Sequence, residues 1–256
     1  MTTEPLLTEA GTGRPVLLLH GGGGPATVAP LAARLSGSAH VLTPVHPGWD
    51  GTERPAALTR VADLADAYLD LLRRRGLRDV LVVGSSLGGW IGAEMALRDG
   101  TGAGDGDGDG ATVTGLVLID AVGIGVDGEP LTDVFALDAR GLAEHSWHDP
   151  DRYFVDPATL PPTELARRQG NTATMRALAG DPYMHDPGLR ERLRDVRVPV
   201  LVLWGESDRV ATPGYGAAYA RAFADARFVT VPGAGHLPHL ERPEAVFAHL
   251  EAALTH

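Results

Sequence analysis

The apolar run Val80-Leu81-Val82-Val83 ends in Gly84-Ser85-Ser86-Leu87-Gly88 and gives way to a helix-like stretch from Gly89 to Arg98. This order predicts a buried strand that turns abruptly into a helix, with Ser86 at the bend. So sharp a turn leaves room only for very small neighbours, which gives the glycines at 84 and 88 a steric cause. It also pushes the Ser86 hydroxyl out of the sheet and into a cleft. Gly-x-Ser-x-Gly alone is a weak signal in a chain with 33 glycines. The strand before it and the helix after it make it informative.

A serine hydroxyl becomes a useful nucleophile when a base takes its proton, a carboxylate orients that base, and N–H donors hold the developing oxyanion. The chain offers each group just past a strand. Val200-Leu201-Val202-Leu203-Trp204 runs into Gly205-Glu206-Ser207-Asp208, which puts Asp208 on a loop at the strand's C-terminal end. Arg227-Phe228-Val229-Thr230-Val231 runs into Pro232-Gly233-Ala234-Gly235-His236 and places His236 likewise. Upstream, Val16-Leu17-Leu18-Leu19 ends in His20-Gly21-Gly22-Gly23-Gly24-Pro25. Glycines there let backbone N–H groups approach a reacting carbonyl oxygen, with Gly22 as one candidate donor and Leu87 as the other. In a parallel sheet these strand ends share one edge, where ligand sites are expected.

The set His20-Gly21, Gly84-x-Ser86-x-Gly88, Gly205-x-x-Asp208 and Gly235-His236, in the order serine, acid, histidine, resembles the α/β-hydrolase superfamily over nearly the whole chain. The resemblance implies an α/β fold with a mostly parallel central sheet, helices on both of its faces, and a helical cap inserted in the core. It implies a serine hydrolase with Ser86 as nucleophile, His236 as base, Asp208 as the orienting acid, and an oxyanion hole from Gly22 and Leu87. Rivals remain at each position. Asp120, at the end of Val117-Leu118-Ile119, competes with Asp208 because some lipases of the superfamily carry the acid there, and Glu206 is a weaker competitor. His239 and His20 compete with His236, but neither follows the Gly-x-Gly-His pattern, and His20 reads as a structural residue that fixes the glycine loop. Ser85 faces away from the cleft in this kind of turn.

The expected substrate is a small carboxylic ester or lactone, cleaved without cofactor or metal. Two other hydrolase-fold chemistries compete. One is C–C bond hydrolysis of ring-cleavage products, whose loop His20 to Ala26 approaches with one extra glycine, and with serine instead of asparagine at 85. The other is cofactor-free perhydrolysis. A ligand receptor that binds without turnover is the non-enzyme alternative. Epoxide hydrolysis and dehalogenation are disfavoured, because in this superfamily their nucleophile is aspartate.

Composition narrows the classes further. At 256 residues and 44% hydrophobic, one domain can bury a full core. The absence of cysteine excludes disulfides and thiol chemistry, and every basic residue apart from histidine is arginine. A net charge of -11 argues against a nucleic-acid surface. Met1 to Ala10 carries no basic segment followed by an apolar one, and the apolar runs are strand-sized, so the expectation is a cytoplasmic protein with no membrane association.

Strand and helix patterns alternate along the chain. Leu6 to Glu9 is expected as a short first strand, Pro30 to Leu35 as a helix and Val41 to Val45 as a strand. Residues 60 to 75 place Val61, Leu64, Ala65, Tyr68, Leu71 and Leu72 at helical spacing, residues 113 to 119 form another strand, and 239 to 253 a closing helix. Two segments interrupt the alternation. Residues 125–195 are too long for a plain crossover and are assigned to the cap, leaving 1–124 and 196–256 as the core. Trp147, Tyr183 and Met184 are its candidate substrate contacts, while His145-x-x-His148-Asp149 lacks the partnering cluster of a metal site. Gly100 to Gly110 reads as an acidic, solvated insertion. Its Asp105-x-Asp107-x-Asp109-Gly110 copies half of a calcium loop, but position twelve is Leu116. Removing Gly102 to Gly110 is therefore expected to leave activity and melting temperature nearly unchanged, and chelators should have no effect. A calcium-dependent rise in melting temperature would contradict this.

Overall fold

The computed structural model describes residues 5–100 and 111–255; the insertion with the calcium-like string lies outside them. Seven strands form one sheet in the spatial order β1-β3-β2-β4-β5-β6-β7. They are β1 (Leu7–Ala10), β2 (Pro15–Leu19), β3 (His40–Pro44), β4 (Val80–Ser85), β5 (Val113–Ile119), β6 (Val200–Gly205) and β7 (Ala226–Val231). Only β1 runs antiparallel, at the edge beside β3; every other pair is parallel.

Burial on both faces follows from the strand sequences. Leu17, Leu19, Val80, Val82, Leu116, Leu118, Val200, Val202 and Trp204 enter one hydrophobic cluster, and the alternate residues Val16, Leu18, Leu81, Val83, Val117, Ile119 and Leu203 enter the other. Strand side chains alternate in direction, so an unbroken apolar run must have a packed layer on each side. The first layer contains α2 (Val61–Arg74), α3 (Leu87–Gly100) and α8 (Pro213–Ala222). The second contains α1 (Ala29–Leu35) and α10 (Pro243–Leu254). Helix α2 buries all six residues of its expected stripe. Its start is fixed by the Asp63 carboxylate, which accepts the N–H groups of Thr59 and Arg60.

The closing segment differs from the single helix expected over 239 to 253. It is two pieces, α9 (Pro238–Glu241) and α10, broken at Arg242 with φ −134° and ψ 57°. Pro243 is the cause. Its ring excludes the helical conformation from the preceding residue, and it has no N–H to continue the ladder.

Residues 125–195 leave the sheet after β5 and return at β6. They carry α4 (Ala139–Ser146), α5 (Pro150–Tyr153), α6 (Pro162–Ala179) and α7 (Leu189–Arg192). Among the described residues no helix is long and apolar enough to cross a membrane.

Candidate active site

The sheet register decides which residues meet. Ser85 pairs with Ile119, Ile119 with Leu203, and Gly205 with Val231, so β4, β5, β6 and β7 end in line and their following loops open at one edge. Ser86 and Asp120 are the first residues past β4 and β5, and both are left-handed, with φ of 53° and 46°. For non-glycine residues this backbone is strained, and it persists only where its surroundings hold it. The glycines flanking Ser86 are sterically required. A Cβ on Gly84 would lie 2.2 Å from the Gly88 carbonyl oxygen, and one on Gly88 would lie 2.3 Å from that of Leu19.

At this edge the Ser86 hydroxyl lies 2.9 Å from His236 Nε2, and His236 Nδ1 lies 2.7 Å from Asp208 Oδ2. The other oxygen, Asp208 Oδ1, accepts the N–H groups of Val210 at 2.8 Å and Ala211 at 3.1 Å. Those two donors fix the carboxyl plane and reserve Oδ2 for the ring. Ser86 and His236 are each 8% exposed and Asp208 2% exposed, so the chain of hydrogen bonds is largely screened from solvent.

Asp120 is adjacent and placed differently. Its Oδ1 accepts the Gly205 N–H at 2.8 Å, and its Oδ2 is buried with no hydrogen-bond partner. Acceptor atoms of Asp120, Asp208 and His236 all lie within 4.8 Å of one another. Complete burial, and then the neighbouring Asp208 charge, hold the Asp120 carboxyl well above the usual carboxylate range, which favours its neutral form. Glu206, the other competitor, accepts the Gly233 N–H at 3.1 Å instead.

The glycine loop is held by histidines. His20 Nδ1 donates to the Gly21 carbonyl at 2.7 Å, and its Nε2 accepts the His46 N–H at 3.1 Å. His46 Nε2 donates to the His20 carbonyl, its Nδ1 accepts from the Tyr68 hydroxyl, and the Trp49 indole donates to the Gly22 carbonyl. Among the described residues no protein acceptor takes the N–H of Gly22 or of Leu87, the first residue of α3. His239 donates from Nε2 to the Thr27 carbonyl.

Sequence reasoning missed two residues that shape this site, Glu241 and Asn171, and placed a third, Met175, only among the apolar residues of the inserted segment. Glu241 is 6% exposed, and its carboxylate accepts the N–H groups of His148, Asp149 and Gly235, tying the His236 loop to residues 125–195. Asn171 on α6 bonds both the side chain and the N–H of Asp50. Met175, one turn further along α6, rests on Gly22. Neighbours 93 and 121 residues apart leave no local trace in a sequence. The residues expected to touch substrate are engaged in packing. Trp147 stacks on Tyr153 with ring centroids 4.5 Å apart, the Tyr183 hydroxyl sits between Thr132 and Val134, and Met184 is 4% exposed in the core. His145 donates to the Gly141 carbonyl, and His148 Nδ1 lies 2.8 Å from the Ser207 hydroxyl.

Burial first of all, eased only in part by their hydrogen bonds, lowers His20 and His239 from 6.5 to about 4 and His46 well below 6.5. Between those limits the unfolded chain binds protons that the folded one does not, so stability falls as pH drops below about 6.5. Asp120 acts oppositely with one proton, and three histidines outweigh it. For His20 and His239 the fully developed contribution is on the order of 3 kcal/mol each. Denaturant melts should show a clear loss between pH 6.5 and pH 5, above the ordinary carboxylate range; a flat profile there would contradict the buried neutral rings.

A model of the alpha/beta hydrolase family matches residues 16–249, and the chain belongs to that family. It is 29% identical over 251 residues to a pimeloyl (acyl-carrier protein) methyl ester esterase of Aromatoleum aromaticum, covering 90% of this chain and 93% of the relative. It is 30% identical over 230 residues to 2-hydroxy-6-oxo-2,4-heptadienoate hydrolase of Pseudomonas putida, covering 81% and 76%. A Mycobacterium tuberculosis protein that carries the name of a non-heme bromoperoxidase matches at 41% identity over 78 residues only, so that the chain spans 29% of that relative's length. Among solved structures, an esterase from Exiguobacterium antarcticum shares the fold with a TM-score of 0.75 at 20% identity, covering 98% of this chain and 95% of that one. Family and relatives together support a hydrolase.

Proposed function

We propose that this hydrolase cleaves small carboxylic esters or lactones through an acyl-enzyme on Ser86, with His236 as base and Asp208 as its orienting acid. The observation that carries the reading is the unbroken chain from the Ser86 hydroxyl through both His236 nitrogens to Asp208 Oδ2, at 2.9 and 2.7 Å. Asp208 fixes the Nδ1–H tautomer, which leaves Nε2 free to take the Ser86 proton as Oγ attacks the carbonyl carbon. The N–H groups of Gly22 and Leu87 receive the oxyanion. His236 then returns its proton to the departing alkoxide, and the acyl group stays on Ser86. A water molecule gives a proton to Nε2, attacks the acyl-enzyme, and releases the acid while Ser86 recovers its hydrogen. Residues 125–195 serve as the cap, clamped to the core through Glu241 and Asp50.

The relative named for 2-hydroxy-6-oxo-2,4-heptadienoate hydrolysis supports a second reading, in which the same serine machinery cleaves a C–C bond next to a ketone. Chromogenic esters of rising chain length, simple lactones and a vinylogous 1,5-diketone decide between the two. Turnover of esters or lactones at least a hundredfold above the diketone supports the first, and the reverse ranking replaces it with the second.

A further inference from the structure

Helix α6 packs against the loops that follow β2 and β3, and the face it turns toward them is set by side chains at helical spacing. Arg167 and Asn171 reach the Asp50 carboxylate, and the Thr174 hydroxyl donates to the Gly48 carbonyl at 2.8 Å. Leu178 enters the core. Between these anchors stands Met175. A Cβ built on Gly22 would lie 2.3 Å from Met175 Sδ and 3.0 Å from Cε, so the end of this side chain rests on Gly22, one residue along the glycine loop from the contact with Ser86. The next glycine, Gly21, approaches Ser86 itself, its Cβ position lying 3.7 Å from Oγ.

The stereochemistry of acyl transfer assigns the two sides of this space. A tetrahedral carbon on Ser86 carries the Oγ, the oxyanion, the leaving group and the acyl chain. The leaving group must lie beside His236 to receive its proton, and there the main chain of Ser146 and Trp147 closes over the histidine loop, the His236 N–H donating to Ser146 O at 2.7 Å. With the leaving group on that side, the acyl chain is assigned to the opposite one, toward the glycine loop, where Met175 rests on Gly22.

We propose that Met175 sets the length of acyl group the enzyme accepts, and that its natural substrates carry short acyl chains. The proposal rests on the serine-hydrolase reading and adds to it a substrate class. Methionine suits the place, since it is unbranched, apolar, and anchored on a helix held at 171, 174 and 178.

The test compares p-nitrophenyl acetate, butyrate and octanoate on the wild type, Met175→Ala and Met175→Leu. The wild type should prefer acetate or butyrate. Met175→Ala should raise the octanoate-to-acetate ratio of kcat/KM about tenfold or more, because an apolar pocket discriminates by roughly that factor per methylene accommodated. Met175→Leu conserves volume and should leave the ratio within about twofold. Binding of methyl- and octylboronic acid, which bond Ser86 without turnover, gives a second readout, and Met175→Ala should improve octyl over methyl affinity in the same direction. If Met175→Ala leaves both ratios at the wild-type values, or if the wild type already prefers octanoate, Met175 does not set acyl length, although the serine mechanism stands. If the wild type neither turns over any ester nor binds either boronic acid, the hydrolase reading itself fails and takes the Met175 assignment with it.

Discussion

Replacing Ser86 with alanine is expected to reduce ester turnover by about 10⁴-fold or more while leaving the fold in place. Both halves of the expectation have a structural cause. The Ser86 hydroxyl makes one side-chain hydrogen bond, to His236 Nε2, so its removal abolishes the attacking atom and leaves the glycine loop, the His46 network and the sheet untouched. The left-handed backbone at Ser86 strains alanine and serine alike, so the turn keeps its shape. Stability should therefore change by no more than about 1 kcal/mol, the net worth of one ordinary hydrogen bond. Rate and melting temperature measured on the same preparation separate a lost nucleophile from a lost fold. Retained turnover in a folded Ser86→Ala protein would place the nucleophile elsewhere and remove the central claim.

The framework of the fold was legible because it is written in short-range periodicity. Strands β2, β4, β5 and β6 are apolar on consecutive residues, which only a sheet covered on both faces can use, and α2 displays its buried stripe at helical spacing. The break at Arg242 was also written in the chain, as an Arg-Pro pair inside a helical pattern. The neighbourhood of Ser86 was legible for a different reason. Each contributing group sits within a few residues of a strand end, and a parallel sheet aligns those ends whatever the loops between them do. What lay beyond reach was everything delivered from α6 and α9. No local pattern announces that Met175 will rest on Gly22, or that Glu241 will collect three backbone N–H groups from two separate loops. Such contacts depend on how residues 125–195 return across the sheet edge, and helical spacing within α6 identifies faces without saying what each face meets. The same applies to Trp147 and Tyr183. Aromatic rings in an inserted segment are equally suited to lining a site and to holding the segment together, and here their contacts are with Tyr153, Phe135, Thr132 and Val134.

Asp208→Asn should lower kcat by roughly 10³ to 10⁴ with the fold retained, and Asp120→Asn should cost no more than about tenfold. The asymmetry follows from the donors around each carboxyl. The N–H groups of Val210 and Ala211 point at Asp208 Oδ1 and require an acceptor, so an asparagine at 208 must turn its oxygen toward them and its amide nitrogen toward His236. An amide N–H facing Nδ1 demands an unprotonated Nδ1, which shifts the ring proton to Nε2 and leaves no lone pair there for the Ser86 proton. Burial and the Asp208 charge hold the Asp120 carboxyl well above the usual carboxylate range, which favours its neutral form. Asparagine there is neutral as well, and its oxygen can still accept the Gly205 N–H. Rates for both variants, with ring-proton NMR of His236 to report the tautomer, make the comparison direct. The Nδ1 proton signal should disappear in Asp208→Asn and persist in Asp120→Asn. If Asp120→Asn is instead the more damaging change and Asp208→Asn nearly silent, the orienting acid sits after β5, while the attack by Ser86 through His236 survives.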